Sequence, residues 1–455
     1  MVVAESTPAP QRSGREVGRS LHVTLVVANT FQFDSRQLRT AATLAADGHQ
    51  VRILAWSGPD LPTDEELPGG LRLTRIALDR RISSALRPLP MSLRRLVCRA
   101  LALDPDALLL PPDAPTGADR LRHPLRRLLE VLANARRVGP WADAVVAAAP
   151  ETDVFHAKAL ITLPVVREAA HRLMGRFVYD VADYHTEAAR LARMPGPVRE
   201  LVRKRERGWA RDAAGILAVS QPIADLVQER WGVAPPVILM NCPPAWRPEI
   251  PGLVASDLVR TTAAIPAERP VILYQGGYSV DRGIEELVAA LAEPPLRSIG
   301  AVAVFMGFGR LEAWLRERAA ADPEHLVVLP PVPPDELLPW TASADVTFVG
   351  QPPRTLNQRY NLPNKLFESL MAGVPVVVSA ANEQCRLVST ERAGACADID
   401  SPRSIAEALG AILSAPESER QALREHCRTI ALERYSWERN VAGLTGLYRD
   451  IAART

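Results

Sequence analysis

The chain has 455 residues, 47% of them hydrophobic and 23% charged, and a formal net charge of +2. That is ordinary globular composition, long enough for two sizeable cores, and the near-neutral balance excludes a general polyelectrolyte partner. All but three of the 54 basic residues are arginine, the exceptions being Lys158, Lys204 and Lys365. With the abundant Ala and Pro, this reads as the codon bias of a GC-rich genome, so arginine content alone does not point to nucleic acid.

The five cysteines (Cys98, Cys242, Cys385, Cys396 and Cys427) are widely spaced, with no Cys-x-x-Cys or Cys/His ligand spacing. Their pattern predicts a reducing compartment and no structural zinc. No apolar run approaches the roughly 20 residues that span a bilayer, and the start of the chain lacks a signal-peptide core. A cytoplasmic protein is expected.

Residues 1–19 are Ser, Pro, Gly, Arg and Glu with little apolar content and read as a disordered tail. Leu21–Ala28 is a buried strand, Phe31–Asp47 carries a helical apolar stripe closed by Gly48, and Val51–Trp56 is the next strand. This alternation opens a doubly wound α/β domain over 20–250. Asn29-Thr30-Phe31 stands where a dinucleotide site would need Gly-x-Gly-x-x-Gly, which argues against an NAD enzyme.

Residues 80–137 hold twelve arginines against five acids, interleaved with Leu86, Leu89, Met91, Leu93, Leu96 and Val97. Two readings stand: a solvated helical hairpin, slightly favoured, or an amphipathic surface lying on anionic lipid. The stretch 103–119 in its middle reads as a loop. Strands end near Ala159 and Asp180, so His156 and the Asp183/His185 pair fall where α/β sheets place ligands. Asp34 and Arg36, after the first strand, fall there too. Each has a plain structural reading: a helix cap, a solvated arginine, a core histidine.

The Pro-rich segment 242–268 reads as the hinge to a second domain over 268–435, with 436–455 crossing back as a helix. Val271–Tyr274 leads into Gly276-Gly277 and then Arg282-Gly283; Val302–Met306 leads into Gly307-Phe308-Gly309-Arg310. Glycines between a strand and a helix let backbone approach a phosphate. Tyr360–Ser379, YNLPNKLFESLMAGVPVVVS, places Pro363 and Asn364 at the start of a helix. Leu366, Phe367, Leu370 and Met371 form its apolar face, Gly373 and Pro375 end it, and a Val-rich parallel strand follows. Its N-terminus, with Lys365 and Glu368, is a natural anion site.

That last stretch resembles the nucleotide-sugar signature of the GT4 family of retaining glycosyltransferases, in its Pro-Asn-Lys-Leu-Phe-Glu branch. The resemblance covers most of 21–450 and is specific in 271–380. It implies a GT-B fold: two Rossmann-like domains facing a cleft, acceptor on the N-terminal half and nucleotide-sugar on the C-terminal half. It implies that Glu368 binds the nucleotide ribose and that Gly276, Gly277, Gly307 and Gly309 approach the phosphates. Pro331 and Val332 would read the base through their backbone, and Tyr360, Pro363, Asn364 and Leu366 would complete the donor site. Tyr360 replaces a second glutamate common in the family, and Ala182 replaces a histidine. Arg282 matches one of two usual loop cations; Gly277 replaces the other, and Lys365 can supply that charge.

The expected activity is glycosyl transfer, retaining and metal-independent, with Arg282 and Lys365 stabilising the departing diphosphate. No cofactor is expected; a nucleotide-diphosphate sugar, with UDP slightly favoured, is the co-substrate. The acceptor is a glycan, a lipid-linked sugar or a small molecule, and a peripheral position on an anionic membrane is an option through 80–137. Two alternatives remain open: a nucleotide-sugar 2-epimerase of the same fold, and a catalytically silent nucleotide-sugar binder.

Overall fold

The computed structural model describes residues 19–78, 90–100, 119–247 and 257–454. Two sheets divide the chain. The first comprises His22–Val26 (β1), Gln50–Trp56 (β2), Asp64–Leu67 (β3), Leu71–Ile76 (β4), Val154–Lys158 (β5), Arg176–Val181 (β6), Gly215–Ala218 (β7) and Val237–Ile238 (β8). Their order is β3-β4-β2-β1-β5-β6-β7-β8, and only the β3–β4 pair is antiparallel.

The second comprises Val271–Tyr278 (β9), Val302–Gly309 (β10), Leu326–Leu329 (β11), Val346–Val349 (β12), Val376–Ser379 (β13) and Gly394–Ala397 (β14). Its order is β11-β10-β9-β12-β13-β14, parallel throughout. The short Val/Leu/Ile runs form these strands because helices cover both faces, so no side needs to be polar. Each sheet reverses its winding once, between β1 and β5 and between β9 and β12, and ligand crevices open at such switch points.

The two-domain Rossmann-like layout expected from the sequence is present. The final helix, Ala442–Ala453, buries Leu444, Tyr448 and Ile451 among Val23, Leu25 and Ile53 of the first domain. Trp437, just before it, donates its indole N–H to Thr43 Oγ1 at 2.8 Å. The chain therefore begins and ends in the same core.

Several local expectations change. Strands β9 and β10 run on through the glycines, where the sequence had them stop at Tyr274 and Met306. Pairing continues to Phe308↔Gly277 and Gly309↔Tyr278. Bare backbone permits it: a Cβ on Gly307 would lie 2.0 Å from the Gly276 carbonyl oxygen, and one on Gly309 2.5 Å from that of Tyr278. The β3–β4 hairpin was not anticipated. Within 80–137 the chain forms the helices Met91–Ala100 and Asp119–Ala148. The tail 1–18, residues 79–89, almost all of the expected loop 103–119, and part of the hinge (248–256) lie outside the described residues.

Cys385 and Cys396 form a disulfide, against the expectation of unpaired thiols. The helix Glu383–Glu391 leads directly into β14 and packs on it, which brings together two residues 11 apart. No helix among the described residues is long and apolar enough to cross a membrane.

Candidate active site

The C-terminal side of the cleft is built on β9, β10 and the helix Asn364–Met371. Pro363 takes the cap position of that helix with ψ near 151°, and no side chain caps it. Asn364, the first residue of the helix, is exposed. The first backbone N–H groups therefore remain available to an anion. Leu366, Phe367 and Leu370 anchor the helix in the core, so Leu366 can offer a ligand only its backbone.

Lys365 stands on the half-exposed face. Its Nζ lies 4.3 Å from the centre of the Tyr274 ring and donates to the Tyr274 hydroxyl at 3.3 Å, which in turn donates to the Gly277 carbonyl at 2.9 Å. A Cβ on Gly276, which sits at φ +115°, would meet Lys365 Nζ at 3.6 Å; beside Gly277 the space is open. Burial, with the nearby Arg282 guanidinium adding to it, pulls the Lys365 ammonium down to about 7.

Glu368 accepts from Gln275 Nε2 at 3.2 Å, and Gln275 Oε1 accepts from Thr341 Oγ1 at 2.7 Å. Burial raises the Glu368 carboxyl, and the charges of Arg39, from the opposite domain, and Lys365 oppose that rise. Arg282 is half-buried beside this group, just before Gly283, the φ +65° cap of the helix Ile284–Ala290. Pro331 is exposed and Val332 half-buried against the sheet core.

The N-terminal side differs from expectation at two residues. Arg36 does not line the cleft. Its guanidinium forks onto Asp180, Nε to Oδ2 at 2.8 Å and Nη2 to Oδ1 at 2.7 Å, and reaches the Leu239 carbonyl at 2.9 Å. His156 is also enclosed, with Nδ1 2.9 Å from the Tyr448 hydroxyl and Nε2 3.7 Å from Asp180. Burial alone would raise the Asp180 carboxyl, but Arg36 holds it well below the usual carboxylate range. These residues tie β6 to β5, β8 and the C-terminal helix, a link 144 to 292 residues long in sequence.

Asp34 caps the helix Ser35–Ala46 and accepts from Asn29 Nδ2 at 2.7 Å. Both its oxygens also lie 2.6 Å from the Nζ of Lys158, a residue the sequence reading had not assigned. His185 lies close enough to Lys158 and Asp183 to feel both charges; burial lowers its imidazole, and its Nε2 is buried with no hydrogen-bond partner. Two of the three lysines thus stand in the cleft, in an arginine-rich chain.

The domains meet through loops at the C-terminal ends of their strands. Asn357 Nδ2 donates to Asp183 Oδ1 at 3.0 Å while its Oδ1 accepts from the Tyr184 N–H at 2.7 Å. Ser220 Oγ donates to the Tyr360 carbonyl at 2.6 Å, and the Tyr360 ring packs on the first domain's core. Tyr360 is therefore an interdomain contact in addition to flanking the donor helix. Arg193 and Arg354 both pair with Asp281, next to Arg282, and Arg354 also pairs with Asp400 at 2.7 Å. Phe33 and Phe308 face each other from opposite domains with ring centres 6.3 Å apart. Among the described residues no three His, Cys, Asp or Glu side chains converge as a metal site would require.

Residues 269–415 match the family model described as glycosyl transferases group 1. A D-inositol 3-phosphate glycosyltransferase of Xylanimonas cellulosilytica is 28% identical over 238 residues, 51% of this chain and 53% of that protein. The chain spans about half the length of such curated relatives, or less. In fold it is similar to sucrose-phosphate synthase from Thermosynechococcus elongatus, with TM-score 0.67, 17% identity, and 96% and 100% of the two chains covered. It is also similar to Anabaena HepE, solved in complex with UDP-glucose, with TM-score 0.58, 14% identity, and 95% and 99% covered. The chain has the GT-B fold of these neighbours, and Gly276, Lys365 and Glu368 lie within the stretch that matches the group 1 glycosyltransferase model.

Proposed function

We propose that the protein transfers a glycosyl group from a nucleotide-diphosphate sugar to a hydroxyl acceptor, with retention and without a metal ion. One observation carries the reading: Lys365 and Arg282 converge beside the open backbone of Gly276 and Gly277, at the uncapped N-terminus of the helix Asn364–Met371. Two cations and free N–H groups around one space suit a diphosphate, and they matter most as charge grows on it during departure. Glu368, held by Gln275 at the same helix, suits a ribose diol. The UDP-glucose complex of Anabaena HepE supports a uridine nucleotide as first choice.

His185, Asp34 and Lys158 stand across the cleft for the acceptor hydroxyl. A neutral imidazole can accept a hydrogen bond from that hydroxyl and orient it. The proton then goes to the departing diphosphate, which needs no protein carboxylate base. The N-terminal half would work at an anionic membrane surface. Of the twelve large apolar residues exposed among the described residues, six (Met91, Leu93, Leu96, Leu125, Leu128 and Leu132) lie on the helices 91–100 and 119–148, within the arginine-rich stretch.

A thermal-shift scan with UDP, GDP, ADP and dTDP, followed by transfer and hydrolysis assays with the matching sugars, tests the proposal. One nucleotide should raise Tm, and its sugar conjugate should turn over in the presence of chelator. Stabilisation without turnover favours a silent binder, 2-epimer formation favours an epimerase, and no stabilisation by any nucleotide overturns the donor site.

A further inference from the structure

Among the described residues, the twelve exposed large apolar side chains fall into two groups and two isolated positions. Six lie on the arginine-rich helices. Met174 and Leu201 stand alone. The remaining four stand at or beyond the C-terminal ends of β1, β5, β9 and β10: Phe308 is the next-to-last residue of β10, Val280 and Ile161 come two and three residues after β9 and β5, and Phe33 lies on the loop after β1. The β1 and β10 ends meet across the domain boundary through Phe33 and Phe308, and the loop after β9 meets the first domain through Asp281 and Arg193. Phe33 is 65% exposed and Phe308 54%, although they touch each other across the domain boundary. An apolar pair that spans two domains yet stays this wet is not closing a core. Immediately inward of the same strand ends the cleft becomes polar: Asp34 follows Phe33, Lys158 precedes Ile161 by three residues, and Gly307 and Gly309 flank Phe308.

Resting on the transfer reading above, we infer that the acceptor is amphiphilic: its hydroxyl-bearing head enters at Asp34, Lys158 and His185, and its apolar part lies along Phe33, Ile161, Val280 and Phe308. A fully hydrophilic glycan would leave this rim hydrated and unused. An alkyl or polyisoprenoid chain, or an aromatic aglycone, would cover it and gain from each methylene removed from water. The order of features along the cleft, apolar rim first and polar floor beyond it, matches a molecule with one polar end. The donor does not need the rim, because its phosphates and ribose have partners deeper in, on β9 and the helix Asn364–Met371.

The full-length protein is titrated with methyl and octyl glucosides, galactosides and mannosides, the octyl compounds below their micelle concentrations, with and without UDP. The octyl compounds should bind at least tenfold more tightly than the methyl ones, whichever sugar they carry. Phe33→Ala and Phe308→Ala should each remove most of that preference while UDP affinity holds, and Phe33→Leu and Phe308→Leu should restore it. Equal binding of methyl and octyl compounds overturns the inference. So does loss of UDP affinity in Phe308→Ala, which would assign that ring to the donor base. Octyl binding that survives both alanine variants but disappears in Leu125→Asp overturns it as well, since the chain would then sit on the helical face. Failure of the donor reading shows separately, as absence of nucleotide-sugar turnover with every acceptor.

Discussion

Lys365 Nζ sits 4.3 Å over the Tyr274 ring, with Tyr274 buried and its phenol pushed up to about 12. The ammonium therefore has a neutral hydrogen-bonding partner and a ring face, with burial and the Arg282 charge working against it. A ligand dianion reverses that balance. With the free group near 7 and the bound group higher, donor binding takes up a proton whenever the pH exceeds about 7. The affinity for nucleoside diphosphate should be flat on the acid side of 7 and fall as pH rises above it, by at most about tenfold per unit. Calorimetry at pH 8 in two buffers of different ionisation enthalpy reads the uptake directly. Lys365→Arg, always charged, should abolish it; equal uptake in that variant would assign the proton elsewhere.

Transfer itself gives a second expectation. Charge-assisted bonds to the diphosphate contribute about 1.5–3 kcal/mol each, so Lys365→Ala should lower kcat/KM by roughly 10- to 150-fold. Because the bonds strengthen as the leaving group departs, kcat should fall and not only KM rise. Arg282→Ala should act alike, and the double variant should be non-additive since both cations serve one group. Glu368→Ala should act mainly on nucleotide affinity. Unchanged transfer in folded Lys365→Ala and Arg282→Ala would move the donor site elsewhere.

The arrangement around Lys365 and Glu368 was largely legible from sequence because its parts are local. Pro363, Lys365, Glu368 and Gly373 lie within eleven residues, and one helix presents them. The glycines announce close backbone approach wherever they fall. The N-terminal side of the cleft depends on partners far apart in the chain. Nothing near Arg36 in sequence says that Asp180 will enclose it, so a buried ion pair looks the same as a cleft arginine. Lys158 was visible only as a rare lysine; its meeting with Asp34 needs β1 and β5 to be neighbours. The Phe33–Phe308 contact and the Cys385–Cys396 bond likewise follow from tertiary packing. The helix Leu356–Tyr360, which delivers Asn357 to Asp183, is too short to announce itself by periodicity.

Arg36 now makes a stability prediction in place of an acceptor contact. Removing one partner of a buried pair leaves an uncompensated charge, which costs about 3–5 kcal/mol. Arg36→Ala should unfold at clearly lower denaturant concentration, with the slope unchanged. The pH sign follows from Asp180. Its folded-state value lies below the unfolded one, so the wild type keeps this stabilisation above the ordinary carboxylate range and loses it as pH falls toward the folded value. Unfolding that is identical in Arg36→Ala and wild type between pH 5 and 7 would contradict the buried pair.

Membrane association is testable by flotation. Vesicles rich in anionic lipid should carry the protein at low salt, at about 1 kcal/mol for each arginine near the surface, and release it at high salt. Leu125 and Leu128 are both exposed on one helix, three residues apart. The double variant Leu125→Asp/Leu128→Asp should lose binding while its Tm is retained. No flotation of wild type at low salt rules the surface out.

The last expectation concerns Asp281, which sits at φ 67° and receives Arg193 from one domain and Arg354 from the other. All three are partly exposed, so the pairs contribute at most about 1 kcal/mol to stability. Their effect should lie in catalysis instead. Arg193 can reach Asp281 only when the domains are together, and Asp281 is covalently next to Arg282. Closure of the cleft and seating of Arg282 against the diphosphate are then one event. Arg193→Ala should leave Tm within a degree or two and nucleotide affinity nearly intact, yet lower kcat severalfold. Salt distinguishes this from a general loss of packing: screening should slow the wild type, because the closing pair is exposed, and should slow the variant much less. Parallel salt dependences for kcat in the two proteins would mean that the pair has no part in closure.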